Sequence, residues 1–226
     1  MAAKLNPKSI FEYTNYREFL KDTYLEGKSQ NKNFSFRYFS RIAGFQSSNF
    51  LMLVMDGKRN LSPQSAEQIA KGLKLKKEET QFFKNLVLLN QAETADERQL
   101  YAEQLMRSRP FKRINPHKEF QYNYYAQWHF ILIRELVGLT DFQEDFTWIA
   151  KHTLPSVPPA AAKKAIEELL KLGLLTRDES GKLVQAEAKV STPDEVTVAS
   201  VAHYHREMMK RASESIDLIP REKREI

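Results

Sequence analysis

Between Phe34 and Ser62 the chain reads FSFRYFSRIAGFQSSNFLMLVMDGKRNLS, two apolar runs parted by one glycine and closed by another. Phe36, Phe39, Ile42 and Ala43 recur at helical spacing and predict a first helix. Gly44 suits a turn that needs positive φ, because it has no Cβ to clash there. Phe45 is placed to plug the joint. SSNFLMLVMDG predicts a short second helix that stops at Asp56-Gly57. Two helices joined this tightly make a helix-turn-helix, which confines the surrounding residues to a small all-helical domain. Phe50, Leu53 and Val54 form the i, i+3, i+4 set expected to face the core. Leu51, Met52 and Met55 are left over, because a helix laid against a polar partner has no use for three more apolar side chains.

The flanking sequence fits that domain. YREFLKDTYLEGK predicts a helix with Phe19, Leu20 and Tyr24 on one face and Gly27 as its C-cap. SPQSAEQIAKGL has a Ser62 cap and Pro63 at the first helical position, where proline is tolerated. EETQFFKNLVLLNQ carries acids in its first turn and buries Phe82, Phe83, Leu86, Val87 and Leu89. The first domain is thus residues 1–92. Residues 93–119 are expected to be a linker helix, DERQLYAEQLMRS, and a basic linker in which Pro110 and Pro116 bracket Lys112 and Arg113.

A second domain is expected at 120–192. FQYNYYAQWHFILIRELVGL predicts one long helix, DFTWIAKHTL a short one, and PPAAAKKAIEELLKLGLL a third, with Ala165, Leu169 and Leu172 inward and Gly173 as its stop. Leu174–Thr176 and Leu183–Gln185 read as strands around an Asp178–Gly181 turn. Three helices and a hairpin in this order describe a winged helix. Residues 193–226 predict a C-terminal helix, capped by Thr192, with Pro193 first and Glu195 closing a capping box. The fold class is therefore mainly α: a five-helix helix-turn-helix domain, a linker helix, a winged-helix domain of three helices plus β-hairpin, and a C-terminal helix.

Charge divides the chain unevenly. Residues 1–90 hold 15 Lys+Arg against 8 Asp+Glu, while residues 91–226 hold 20 against 21. The whole net excess of +6 thus comes from the first domain, and a basic domain beside a neutral one points to a polyanionic partner. With no cysteine, disulfides and thiolate chemistry are out and a reducing, cytoplasmic setting is expected. No apolar run is long enough for a membrane span. The glycines form no phosphate-binding loop or nucleophile elbow, and no HExxH occurs. His203 and Glu207 are four apart, which is weak grounds for a metal site. Glu167 and Glu168 read as surface charge rather than an acid/base pair. No enzyme, cofactor or metal is expected.

Candidate contact residues cluster on the helix-turn-helix. Gln46, Ser47, Ser48 and Asn49, at the start of the second helix, have small polar side chains suited to base edges. Arg37 and Arg41 on the first helix, and Lys58, Arg59 and Asn60 in the loop after the second, are candidates for phosphate contact. On the wing, Arg177 and Lys182 are further phosphate candidates. The third helix of the second domain, with three alanines in its first turn and Lys163 and Lys164 offset by Glu167 and Glu168, is a poorer reader.

F-S-x-R-x-F-S-x-x-A-G-F and VMDGKRNLS resemble the lambda-repressor-like (XRE-type) helix-turn-helix, over about Phe34 to Gln91. Two departures stand out: the Gly44-to-Gly57 spacing is about one residue longer than that family's pattern, and residues 50–55 are apolar throughout. With QAET after the fifth helix, LLKLGLLTRDESGKLV and HYHREMMKRASESI, the full order resembles a family of predicted bacterial transcriptional regulators described mainly by a domain of unknown function. The resemblance implies a regulator of double-stranded DNA, and members run on past the final REI. The second domain would dimerise or sense, giving a homodimer. The residues leave a second reading open: a protein-interaction module that keeps the fold without DNA binding and uses Leu51, Met52 and Met55 as an exposed patch for a protein partner.

Overall fold

A computed structural model describes residues 8–186 and 195–220. The chain divides into two compact units, one ending at Pro116 and one that starts at His117 and takes in nearly all of the last helix. No described helix is long and apolar enough to cross a membrane.

The first unit opens with a short 3-10 helix, Ile10–Glu12, and continues through α1 (Tyr16–Gln30), α2 (Phe36–Ile42), α3 (Phe50–Met55), α4 (Pro63–Gly72), α5 (Lys77–Gln91), α6 (Ala95–Met106) and α7 (Arg109–Ile114). Side chains fix the helix starts: Asn15, Ser35, Ser62 and Thr94 each accept a backbone N–H from the first turn they precede. Its core is aromatic. Tyr16, Phe19, Phe34, Phe39, Phe83 and Phe111 are all essentially fully buried, and each contributes about 1.5–3 kcal/mol relative to exposure. All five residues expected to line α5 are buried.

Three expectations change here. Gly27 does not cap α1; the helix runs on to Gln30, and Gly27's carbonyl accepts the Asn31 N–H. Residues 93–116 are no free linker. The α6 and α7 helices pack beside α5, the Phe111 ring lies 5.2 Å from Phe82, and Asn115 Nδ2 donates to Phe11 O at 2.7 Å. Apolar spacing hidden among Arg109, Lys112 and Arg113 makes this segment part of the first core.

The inner face of α3 also turns out different. Leu51 and Val54 are completely buried, whereas Phe50, Leu53, Met52 and Met55 are half-buried. The Phe50 ring packs on Phe45 across the turn, centroids 4.4 Å apart. Phe50 is thereby spent on the joint, and the core face starts one residue later, at Leu51.

The second unit comprises α8 (Pro116–Ala126, its first residue belonging to the first unit), α9 (Trp128–Val137), α10 (Phe146–Lys151), α11 (Pro159–Lys171), β1 (Leu175–Arg177), β2 (Leu183–Gln185) and α12 (Glu195–Leu218). The long helix expected from Phe120 is broken at Gln127, whose backbone is extended. Geometry gives the reason. At 100° per residue, an unbroken helix would point Tyr124 away from Phe130 and Ile133, yet all three belong to one core cluster.

The α9, α10 and α11 helices and the hairpin form the winged helix. The two strands pair antiparallel, with Leu175 opposite Gln185 and Arg177 opposite Leu183, so β1 starts one residue later than expected. Gly173, at φ +64°, ends α11 as expected. Gln185 Nε2 donates to Arg134 O at 2.7 Å and ties the wing to the end of α9. The cap expected from Thr192, Pro193 and Glu195 lies outside the described residues.

Candidate nucleic-acid interface

The turn between α2 and α3 is built from backbone bonds. Phe45 N–H donates to Ser40 O and Gly44 N–H to Arg41 O, with Gly44 at φ +80°. This is a Schellman end, and only a residue that tolerates the left-handed region completes it without strain. The buried Ser40 donates its hydroxyl to Ser48 O at 3.2 Å, which holds the turn against α2. Gln46, Ser47 and Asn49 are exposed, and Ser48 is half-buried with its hydroxyl 3.4 Å from Asn49 Oδ1. Asn49 is the N-cap residue but its side chain makes no cap bond. These four residues precede α3 in a turn, so they project from the joint and not from the helix body.

At the other end of α3 the same device repeats. Gly57, at φ +76°, donates to Val54 O, and Lys58 N–H to Leu53 O. The loop that follows presents Lys58 and Arg59 to solvent. Lys58 lies 4.0 Å from Asp56, an exposed contact worth little in water. Arg37 and Arg41 are exposed on α2, with the Arg41 guanidinium 5.3 Å from the Tyr38 ring centre.

A residue with no motif to announce it organises this loop. Arg17, in the first turn of α1, donates through Nη1 to Val54 O and to Arg59 O (2.9 Å), and through Nη2 to Asn60 Oδ1 (2.7 Å). One planar guanidinium thus grips the end of α3 and the loop beyond it. Gln91 holds the next residue: Leu61 N–H donates to its Oε1 at 2.7 Å, its Nε2 donates to Leu61 O at 2.8 Å, and Tyr16 OH donates to the same Oε1. Asn60, expected as a phosphate contact, is turned by this arrangement into part of the anchor. Sequence reasoning missed Arg17 because its partners are 37 to 43 positions away. Gln91 stood within QAET, but nothing local marked its role.

The wing is chemically different. Arg177 donates to both oxygens of Glu144, at 2.9 and 2.6 Å, and to Gly181 O at 2.8 Å. The hydrogen bond from Arg177 holds the Glu144 carboxyl below its usual range. The expected wing phosphate donor is therefore already occupied by a carboxylate. Lys182 is exposed, and its backbone N–H donates to Asp178 Oδ1, which also accepts from Ser180 N and Oγ. The Ser180 hydroxyl leads the contacts that lower the Asp178 pKa. On α11, Glu168 pairs with Lys171 at 2.8 Å.

Of the weak metal pair, Glu207 accepts from Arg211 Nη2 at 3.2 Å instead. Among the described residues, no group of three His, Asp or Glu is placed to hold a metal ion.

These features define a two-unit helical protein, a helix-turn-helix unit with an open basic edge followed by a winged helix whose wing is closed by an ion pair. The chain belongs to the DUF4423 family, described as a domain of unknown function, whose model matches residues 105–226. The match begins in the last turn of α6 and takes in the second unit. No curated protein and no solved structure matches the chain.

Proposed function

We propose that the protein is a DNA-binding transcriptional regulator whose first unit contacts double-stranded DNA as a lambda-repressor-like module. The observation that carries this reading is the loop Lys58–Asn60. Two exposed cations follow directly on α3 in a backbone pinned by Arg17 and Gln91. Lys58, Arg59, Arg37 and Arg41 hold phosphates, which gives sequence-independent affinity. Gln46, Ser47 and Asn49 meet base edges from the turn, with Ser48 beside them. Because α3 itself, FLMLVM, carries no polar side chain, sequence discrimination is narrow.

Fluorescence anisotropy of the intact chain against duplex DNA tests this. Affinity falls steeply as salt rises, and Asn49→Ala relaxes preference at one base position while other positions are unaffected. Absence of DNA retention at low salt sinks the reading. A partner-binding patch of Leu51, Met52 and Met55 has no support in their burial, since Leu51 is at 0% exposure and the two methionines are half-buried.

The second unit supplies dimerisation. Val198, Met209 and Ile216 are 48%, 72% and 58% exposed and share one face of α12. Apolar side chains repeated 11 and 7 positions apart give a continuous stripe of the kind two copies of one helix bury between them, so we assign this face to a homodimer. Light scattering reports a dimer for the native chain and a monomer for Met209→Glu with Ile216→Glu; an unchanged dimer refutes the assignment.

A further inference from the structure

A cleft of about 490 Å³ opens in the second unit between the α8–α9 break and α11. Its walls are apolar at Phe120, Phe130 and Leu172, and polar at His129, Lys164 and Glu168. The two charges on α11 are not equivalent. Glu168 is engaged by Lys171 at 2.8 Å, whereas Lys164 has no ion pair among the described residues. His129 is half-buried, and burial first, then the nearby cations Arg211 and Lys164, lower its pKa. Arg211 itself lies over the Trp128 ring at 4.1 Å and pairs with Glu207. An ammonium ligand would meet positive charge here and a carboxylate already taken. An anion would meet a free ammonium and an imidazole N–H, with hydrocarbon walls close by.

We propose that this cleft binds a small amphipathic carboxylate, its carboxylate on Lys164 and His129 and its hydrocarbon against Phe120, Phe130 and Leu172. The volume falls within the range of small-molecule sites, roughly 300–1,000 Å³, and greatly exceeds an inorganic anion. The site lies wholly within the second unit and does not depend on DNA binding by the first.

Titrating the intact chain with 3-phenylpropionate, followed by calorimetry and by the His129 side-chain NMR signals, tests this. Saturable binding with a shift of His129 is expected. Lys164→Gln weakens it about tenfold, the loss of one charge-assisted hydrogen bond. Lys164 is exposed, so the variant should keep the native melting temperature. Phenethylamine and inorganic phosphate, the cationic and the purely anionic counterparts, bind at least about tenfold more weakly. No saturable signal from 3-phenylpropionate overturns the proposal. So does equal binding of phenethylamine, equal binding of phosphate, or full affinity in Lys164→Gln.

Discussion

The molecule contains two helix pairs of related design, α2–α3 in the first unit and α10–α11 in the second, and they treat charge in opposite ways. Beside α3, Lys58 and Arg59 stand exposed, and the nearest acid to Lys58 is 4.0 Å away. Beside α11, Arg177 is locked in a two-oxygen contact with Glu144, and Glu168 is held by Lys171. The lesson is that architecture alone does not nominate a polyanion reader. A cation whose hydrogen bonds are already satisfied must surrender them before it can hold a phosphate, whereas one that faces only water need not.

The strongest attempt to break this contrast is a pair of double substitutions. Lys58→Ala with Arg59→Ala should weaken DNA binding on the order of a hundredfold at low salt and reduce the salt slope by about 2. Arg177→Ala with Lys171→Ala, the two paired cations of the winged helix, should change affinity less than about twofold. Anisotropy titrations at several salt concentrations measure both, and comparable losses would erase the distinction between the units. Next comes the anchor. Arg17→Met should cost about 1–3 kcal/mol in denaturant unfolding and about tenfold in DNA affinity, although Arg17 is not assigned to DNA. Arg17→Lys should recover little of either, since an ammonium lacks the planar fork that reaches three acceptors.

Freeing the wing sharpens the comparison from the other side. Glu144→Gln should leave Arg177 unpaired and raise DNA affinity by no more than about threefold, one added phosphate contact at most. The same pair has a pH signature. Because the folded-state pKa of Glu144 is depressed, its stabilising effect is present above the unfolded value and is lost as pH falls through the folded value. The melting-temperature gap between native and Glu144→Gln protein should therefore narrow as pH falls below the ordinary glutamate range and close once Glu144 is protonated in the folded protein.

The smallest effect concerns a helix end. The α4 helix closes with Lys74 N–H to Lys71 O and Leu75 N–H to Ala70 O, the pattern seen at Gly44 and Gly57, but with lysine at φ +55°. Lys74→Gly should stabilise the first unit by up to about 1 kcal/mol in thermal melts.

Much of the fold was legible because helices announce themselves locally. The cap at Ser62, the inner face of α5 and the stop at Gly173 all follow from spacing and residue type. The failures are tertiary. Gln127 breaks a helix so that Tyr124 can join a cluster it could not otherwise reach, and periodicity within the segment gives no sign of that cluster. Phe111 looked like a linker residue because its neighbours are charged, yet Phe82 claims it. In the candidate interface, Gln46, Ser47, Asn49, Lys58 and Arg59 are exposed, but the first three sit in the turn before α3 and not on the helix start where the sequence put them. The roles of Arg17, Asn60 and Gln91 were hidden, because a bond across 30 or more positions leaves no local trace. Leu51 was misassigned by one residue, since the ring contact between Phe45 and Phe50 sets the phase of α3.

Two of the three acceptors that Arg17 grips, at Val54 and Arg59, are main-chain carbonyls, and the third belongs to Asn60. The socket is therefore indifferent to what positions 58 and 59 display. Their side chains can be exchanged for others, of either sign or of different reach, while the loop keeps its shape. The first unit works as a mount with an interchangeable tip, whose charge and reach can be altered at two surface residues without re-engineering the frame beneath them.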